Sequence, residues 1–242
     1  MFNFLVMSGH SKWATTHRQK EAADAKRGVL FTRLGKNIAV IAKQGGGDPE
    51  TNFRLRLAIE KARAANMTKD NIEKAILRGT GQGSGGQIES VLYEGFGPAG
   101  VAVMIDCSTD NRNRTSADLK HLMTEFGGTF GAPNSVAWLF EQKGVVRISH
   151  LNDETELALI DLGAQDIIRQ IEGVTIYTAL ADLKKITDYL ATKHLELVSA
   201  GIEWVPKEKK VLTDGQKASL EQFLEALEGF EDLNDYYTNA ED

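Results

Sequence analysis

The sequence predicts an α+β multidomain chain: an N-terminal helical bundle followed by two ferredoxin-like α/β domains, the third domain inserted into the second. Three observations carry this. Residues before 80 read as helices without a strand, the segment "GTGQGSGGQ" at 79–87 has the composition of a flexible linker, and β-branched and aromatic runs alternate with helical patterns beyond it. The 242 residues exceed one average domain, and a hydrophobic content of 42% is enough for more than one core.

Ala14 to Lys26 is rich in strong helix formers and holds neither Gly nor Pro, so it predicts a helix, stopped by Gly28. Leu30, Leu34, Ile38 and Ile41 then recur at helical spacing, a second apolar stripe that Gly45-Gly46-Gly47 ends. Asp48-Pro49-Glu50 reads as the N-cap, first residue and acidic first turn of a third helix, which buries Leu55, Ala58, Ile59 and Ala62. Thr68 caps a fourth, carrying Ile72, Ala75 and Ile76, with Gly79 past its end. Residues 1–80 form the helical, basic domain.

Strands are expected at Ile88–Glu94, Val101–Cys107, Val136–Phe140, Val145–Ile148, Asp166–Ile171, Val174–Thr178, Leu195–Trp204 and Tyr236–Thr238. Helical patterns fall at Thr115–Phe126, Glu154–Leu162, Ala181–Lys193 and Gly215–Leu227. In order, residues 143–206 give β-α-β-β-α-β, a complete split βαβ unit. Its removal leaves 87–142 to rejoin 207–242 as a discontinuous α/β domain.

Charge is divided unevenly. The chain carries a net −6, yet residues 1–80 hold 15 Lys/Arg against 7 Asp/Glu, a net +8, and residues 81–242 hold 13 against 27, a net −14. Cations gathered in one domain raise its local potential whatever the global sign, and that favours a polyanionic partner. Cys107 is the only cysteine, so no disulfide and no thiolate zinc site can form within one chain. The first six residues lack the charged region and apolar length of a signal peptide, and no run approaches the ~18 apolar residues of a membrane span. A cytoplasmic protein without a membrane partner is expected, with residues 1–6 an extension ahead of a start at Met7.

Several catalytic and cofactor classes are excluded. "GFGPAG" at 95–100 matches G-x-G-x-x-G, but a pyrophosphate loop must open a helix, and here Val101 begins another strand and Pro98 has no N–H. A hairpin loop is the better reading. The 79–87 segment lacks the Lys-Ser or Lys-Thr of a Walker A loop. His10, His17, His121, His150 and His194 show no metal-motif spacing, and no hydrolase signature occurs. Cys107 in an apolar strand reads as a buried, inert thiol. Neither an enzyme, nor a small-molecule substrate, nor any cofactor or metal is predicted.

The positive signal lies in the front helices. Lys12, Arg18, Lys20, Lys26 and Arg27 are followed by Arg33 and Lys36, and later by Arg54, Arg56, Lys61 and Arg63. A basic groove across a helical bundle would neutralise several phosphates, giving salt-sensitive affinity with little base information. A solvated face with Glu21 and Asp24 as helical partners is the plainer alternative, but eight excess positives outrun local pairing. His17 falls inside this basic stretch. Trp13 suits either stacking on a base or packing the N-terminus onto the bundle. "TDNRNRT" at 109–115 sets Arg112 and Arg114 before a helix, where a phosphate seat and a capping turn paired to Asp106 and Asp110 are equally good readings.

"MSGHSKWATTHRQKEAADAKRG", "GGGDPETNFRLRLAIEKARAANM", "YEGFGPAGVAVMIDC" and "DNRNRT" together resemble the YebC-like family of bacterial proteins, which includes mitochondrial translational activators. The resemblance runs from Met7 to about Tyr237. It implies a three-domain architecture with the third domain inserted into the second, and no catalytic residues. It marks Gly9 to Trp13, Asp24 to Gly28 and Asn111 to Thr115 as motif positions. In "GGTFGAPNSVAWLF" relatives tend to have glycine where this chain has Asn134, which bears on the turn geometry there. The function it implies is a DNA-binding transcriptional regulator, or a ribosome-associated factor binding rRNA that helps elongation through proline-rich stretches. A protein-interaction scaffold is the other class considered, and a monomer is expected because no dimerisation device is visible.

Overall fold

The structure, a computed structural model, describes residues 24–83, 87–193, 195 and 197–241, and of 24–27 the backbone alone. Three helices come first: α1 (Asp24–Gly45), α2 (Phe53–Ala64) and α3 (Lys69–Gly79). The expected break at Gly28 is absent, because α1 runs through that residue as one helix. A glycine inside a helix costs only about 1 kcal/mol relative to alanine, and the buried stripe of Leu34, Ile38 and Ile41 outweighs it. That stripe packs on Leu55, Ile59 and Ala62 of α2 and on Ile72 and Ala75 of α3.

The cap of α2 also lies later than expected. Asp48 accepts from Glu50 N at 2.9 Å and makes a turn, whereas the N-cap is Asn52, whose Oδ1 accepts from Leu55 N at 3.1 Å. The Asn52 amide in addition donates to Ile41 O at 3.2 Å and Gly46 O at 2.9 Å, tying α2 to the end of α1. Thr68 caps α3 as the sequence suggests. Gly79 is the last residue of α3 rather than the residue after it, and it is pressed so closely on α1 that a Cβ would stand 2.2 Å from Ala39 O.

β1 (Glu89–Phe96) and β2 (Ala102–Thr109) pair antiparallel, joined by a tight turn at Pro98–Gly100 in which Gly97 N donates to Val101 O at 2.8 Å. "GFGPAG" is thus a hairpin loop. After α4 (Arg112–Glu125) and the short β3 (Thr129–Phe130), which the sequence reading missed, the sheet is completed by β8 (Leu233–Thr238) in the order β3-β1-β2-β8. β2 reads as an almost continuous apolar run because it is buried on both faces. Val103, Ile105 and Cys107 face Leu119 and Met123 of α4 and Leu220, Phe223 and Leu227 of α7 (Asp214–Glu228), while α1 lies against β1, β2 and β8.

The expected strand at 136–140 is instead a 3-10 turn, Ala137–Leu139, leading into β4 (Phe140–Ile148). Glu94 sets this geometry. Its buried carboxylate accepts from Asn134 N at 2.7 Å, Val136 N at 2.9 Å and Ala137 N at 2.8 Å, which takes those donors out of any ladder. Asn134 has φ 66°, a left-handed conformation in which Asn is the best substitute for glycine.

Gln142–Trp204 forms a compact unit of its own, and the described residues on both sides of it in sequence form the other. The unit holds most of β4, then α5 (Asp153–Asp161), β5 (Ala164–Gln170), β6 (Gly173–Thr178), α6 (Leu183–Thr192) and β7 (Leu197–Pro206), its sheet ordered β5-β6-β4-β7. β6 pairs antiparallel with both β4 and β5. Within it Arg147 and Glu203 are buried and joined by two hydrogen bonds of 2.7 and 3.0 Å. A buried arginine requires such a bidentate partner, since its charge cannot be neutralised by losing a proton.

Candidate nucleic-acid interface

Lys12, Trp13, His17, Arg18 and Lys20 lie outside the described residues, and Lys26 and Arg27 are placed only on the backbone of α1. The remaining sequence-predicted residues separate into two groups. Arg33 and Lys36, one turn apart on α1, point into the protein. The Arg33 guanidinium donates to Glu228 O and, at 2.7 Å, to Phe230 O, the carbonyl end of α7. Burial draws its pKa down, against the opposing pull of Glu228. A cation there offsets the negative end of the helix.

Lys36 is equally committed. Its ammonium lies 2.6 Å from Asp232 Oδ1 and 3.6 Å from Glu231, with a tenth of the side chain exposed. Asp232 Oδ2 accepts in turn from Thr115 Oγ1 at 2.7 Å and from Arg114 at 3.1 Å. Burial alone would raise the Asp232 pKa, but hydrogen bonds from Lys36, Thr115 and Arg114 overcome it and hold the carboxyl below its ordinary value. The "TDNRNRT" segment therefore makes a capping turn. Asn111 Oδ1 accepts from Arg114 N at 3.1 Å, and Thr115 shares a 2.7 Å hydrogen bond with Thr109. Of the carboxylates expected to pair with its arginines, Asp110 does so, 3.1 Å from Arg114, while Asp106 instead accepts from Ser90 and Asn234. Arg112 is exposed, 3.6 Å from Glu89.

Exposed cations remain on all three helices. Arg54 stands at the start of α2 with Gln44 Oε1 at 3.4 Å, and Lys43, Arg63, Lys69 and Lys74 are exposed as well. Arg56 stacks its guanidinium 5.0 Å from the Phe53 ring centroid, and Lys61 lies 3.8 Å from Asp235. Sequence reasoning missed Lys43, Lys69 and Lys74, although a count of exposed helix positions would have found them. It could not have found Asp232, whose partners lie more than a hundred residues away. Cys107 is buried, and burial pushes its thiol pKa well up. Among the described residues no group of three or more His, Cys, Asp or Glu side chains could hold a metal ion, and no helix is long and apolar enough to cross a membrane.

Helices that carry exposed cations, followed by two four-stranded sheets, define an α+β protein in class. Two family models match the chain: "TACO1/YebC protein N-terminal domain" over residues 11–82 and "TACO1/YebC second and third domain" over 88–240. The chain belongs to the TACO1/YebC family. A "Probable transcriptional regulatory protein" of Dictyoglomus turgidum is 44% identical over 96% of this chain and 95% of its own length. Another, "Probable transcriptional regulatory protein YebC" of Salmonella typhimurium, is 40% identical over 97% and 96%. The crystal structure of a conserved hypothetical protein from Aquifex aeolicus superposes with a TM-score of 0.83 at 38% identity, covering 91% of this chain and 93% of that one.

Proposed function

We propose that this protein is a non-enzymatic nucleic-acid-binding regulator of gene expression that docks through its basic N-terminal helices. The observation that carries the reading is the net +8 of residues 1–80 set against −14 for the rest. The naming of its relatives as transcriptional regulatory proteins supports it. Arg33 and Lys36 hold the helices to the sheet, so the docking charge falls to Lys12, Arg18, Lys20, Lys26 and Arg27 with Arg54 and the exposed lysines of α1 and α3. Trp13 and His17 sit within that stretch, and the exposed Arg112 adds a secondary contact, whereas Arg114 is held by Asp232 and Asp110. The remainder is net negative and disfavours phosphate over its surface as a whole, leaving local cations as the exceptions, and this orients the complex.

The order β5-β6-β4-β7, with α5 and α6 as crossovers, supports reading 143–206 as a ferredoxin-like domain inserted between 87–142 and 207–242. Lys12, Arg18, Lys20 and Arg27 reversed together to Glu should abolish nucleic-acid binding and flatten its salt dependence. A variant that binds duplex DNA and ribosomes as well as the parent sinks the proposal. Sucrose-gradient profiles at moderate salt separate the two polyanions: co-migration with ribosomal particles assigns rRNA and translation, and exclusive retention on a promoter fragment assigns DNA and transcription.

A further inference from the structure

Trp138 is two-thirds exposed, with 65% of its surface open to solvent. An indole left in water forgoes one of the largest burial gains available to a side chain, and a contiguous fold normally covers it. The surrounding loop is nevertheless built to hold it still. Glu94 fixes the backbone on one side through the amides of Asn134, Val136 and Ala137. Lys207 fixes it on the other, its backbone N–H donating to Leu139 O and its ammonium to Trp138 O, each at 2.9 Å. The indole N–H already donates to Ser135 O at 3.1 Å. The polar edge of the ring is thereby satisfied, and the surface the indole leaves in solvent is apolar and aromatic.

Two features of the surroundings bear on what fits the ring. Lys207 is exposed and spends one of its three N–H donors on the backbone carbonyl of Trp138, which keeps a cation at the residue that bears the ring. On β1, Leu92 and Phe96 flank Glu94 on the same face of the strand and are 36% and 37% exposed, so a second aromatic ring stands on the side of the sheet where Glu94 holds the loop. Rigid aromatic faces next to a cation are how proteins hold unpaired bases and the phosphates between them.

We propose that Trp138 is a stacking platform for an unpaired base of single-stranded nucleic acid, with Lys207 meeting the adjoining phosphate. This rests on the nucleic-acid reading above and adds a contact outside the basic helices. The test compares the full chain with Trp138→Ala and Trp138→Phe for binding to a short single-stranded RNA of mixed sequence and to a DNA duplex, across a salt series. Trp138→Ala should weaken single-strand binding about 5- to 150-fold, with an unchanged salt slope, unchanged duplex affinity and an unchanged melting temperature. Trp138→Phe, which keeps a ring, should lie close to the parent. Single-strand affinity equal to the parent in Trp138→Ala overturns the platform while leaving the nucleic-acid reading intact, and a loss of association with a protein partner instead would assign the ring to protein recognition. A parent that binds neither probe removes the nucleic-acid reading, and the platform with it.

Discussion

Asp232 gathers Lys36, Arg114 and Thr115 around one carboxylate whose side chain is 4% exposed. Removing one member of such a buried pair leaves the other charge uncompensated, so Asp232→Ala should cost about 3–5 kcal/mol in urea unfolding at neutral pH. Because its folded pKa is held down, the stability Asp232 supplies is present above the ordinary carboxylate value and disappears as acid takes the pH through the lowered one. Asp106 behaves oppositely. Burial and the cross-strand neighbour Asp235 push it up to about 6, against hydrogen bonds from Ser90 and Asn234 and the charge of Arg54. An unfolded carboxyl releases its proton near 3.9, so Asp106 burdens the fold above about pH 6 and the burden lifts as pH falls toward about 4. Asp106→Asn should therefore stabilise by about 1–3 kcal/mol at pH 8 and bring nothing at pH 4. Denaturant melts at the two pH values check the sign, and a carboxyl NMR titration checks the midpoint.

At the scale of elements, the loop at 131–139 depends on Glu94. Glu94→Gln replaces a carboxylate that accepts three N–H groups with an amide that has one acceptor, and the loss should be about 1–3 kcal/mol, with faster hydrogen exchange at Asn134, Val136 and Ala137. Asn134→Ala should cost about 1 kcal/mol by forcing a Cβ-bearing residue without a local hydrogen bond into the left-handed region, whereas Asn134→Gly should be nearly neutral. Both effects are read from thermal melts. Elements that rest on local patterns were legible in the sequence: the stripe of α1, the Thr68 cap, the β1–β2 hairpin and the alternation of strand and helix after residue 87. Those decided by distant partners were not. Glu94 turns an apolar run at 136–140 from strand to 3-10 turn from forty residues away, and the packing of α1 on α2 and α3 carries the helix through Gly28. The same division runs through the candidate site, where Arg54 and Arg63 were picked out from the clustering of charge, Lys43, Lys69 and Lys74 were not, and the inward aim of Arg33 and Lys36 follows from residues 228–232.

For the molecule as a whole, the governing feature is the contrast between a cationic front and an acidic remainder. If four phosphates are neutralised, nucleic-acid affinity should fall about 100-fold between about 50 and about 200 mM salt, measured by fluorescence anisotropy on the full chain. A shallower slope would mean fewer phosphate contacts. The connection at 79–87 has the composition of a swivel, yet the Arg33 guanidinium on the end of α7 and the Lys36 ammonium on Asp232 fasten the first helix to the sheet beside it. A load taken up by those helices is consequently delivered straight to α7 and to the residues that lead into β8.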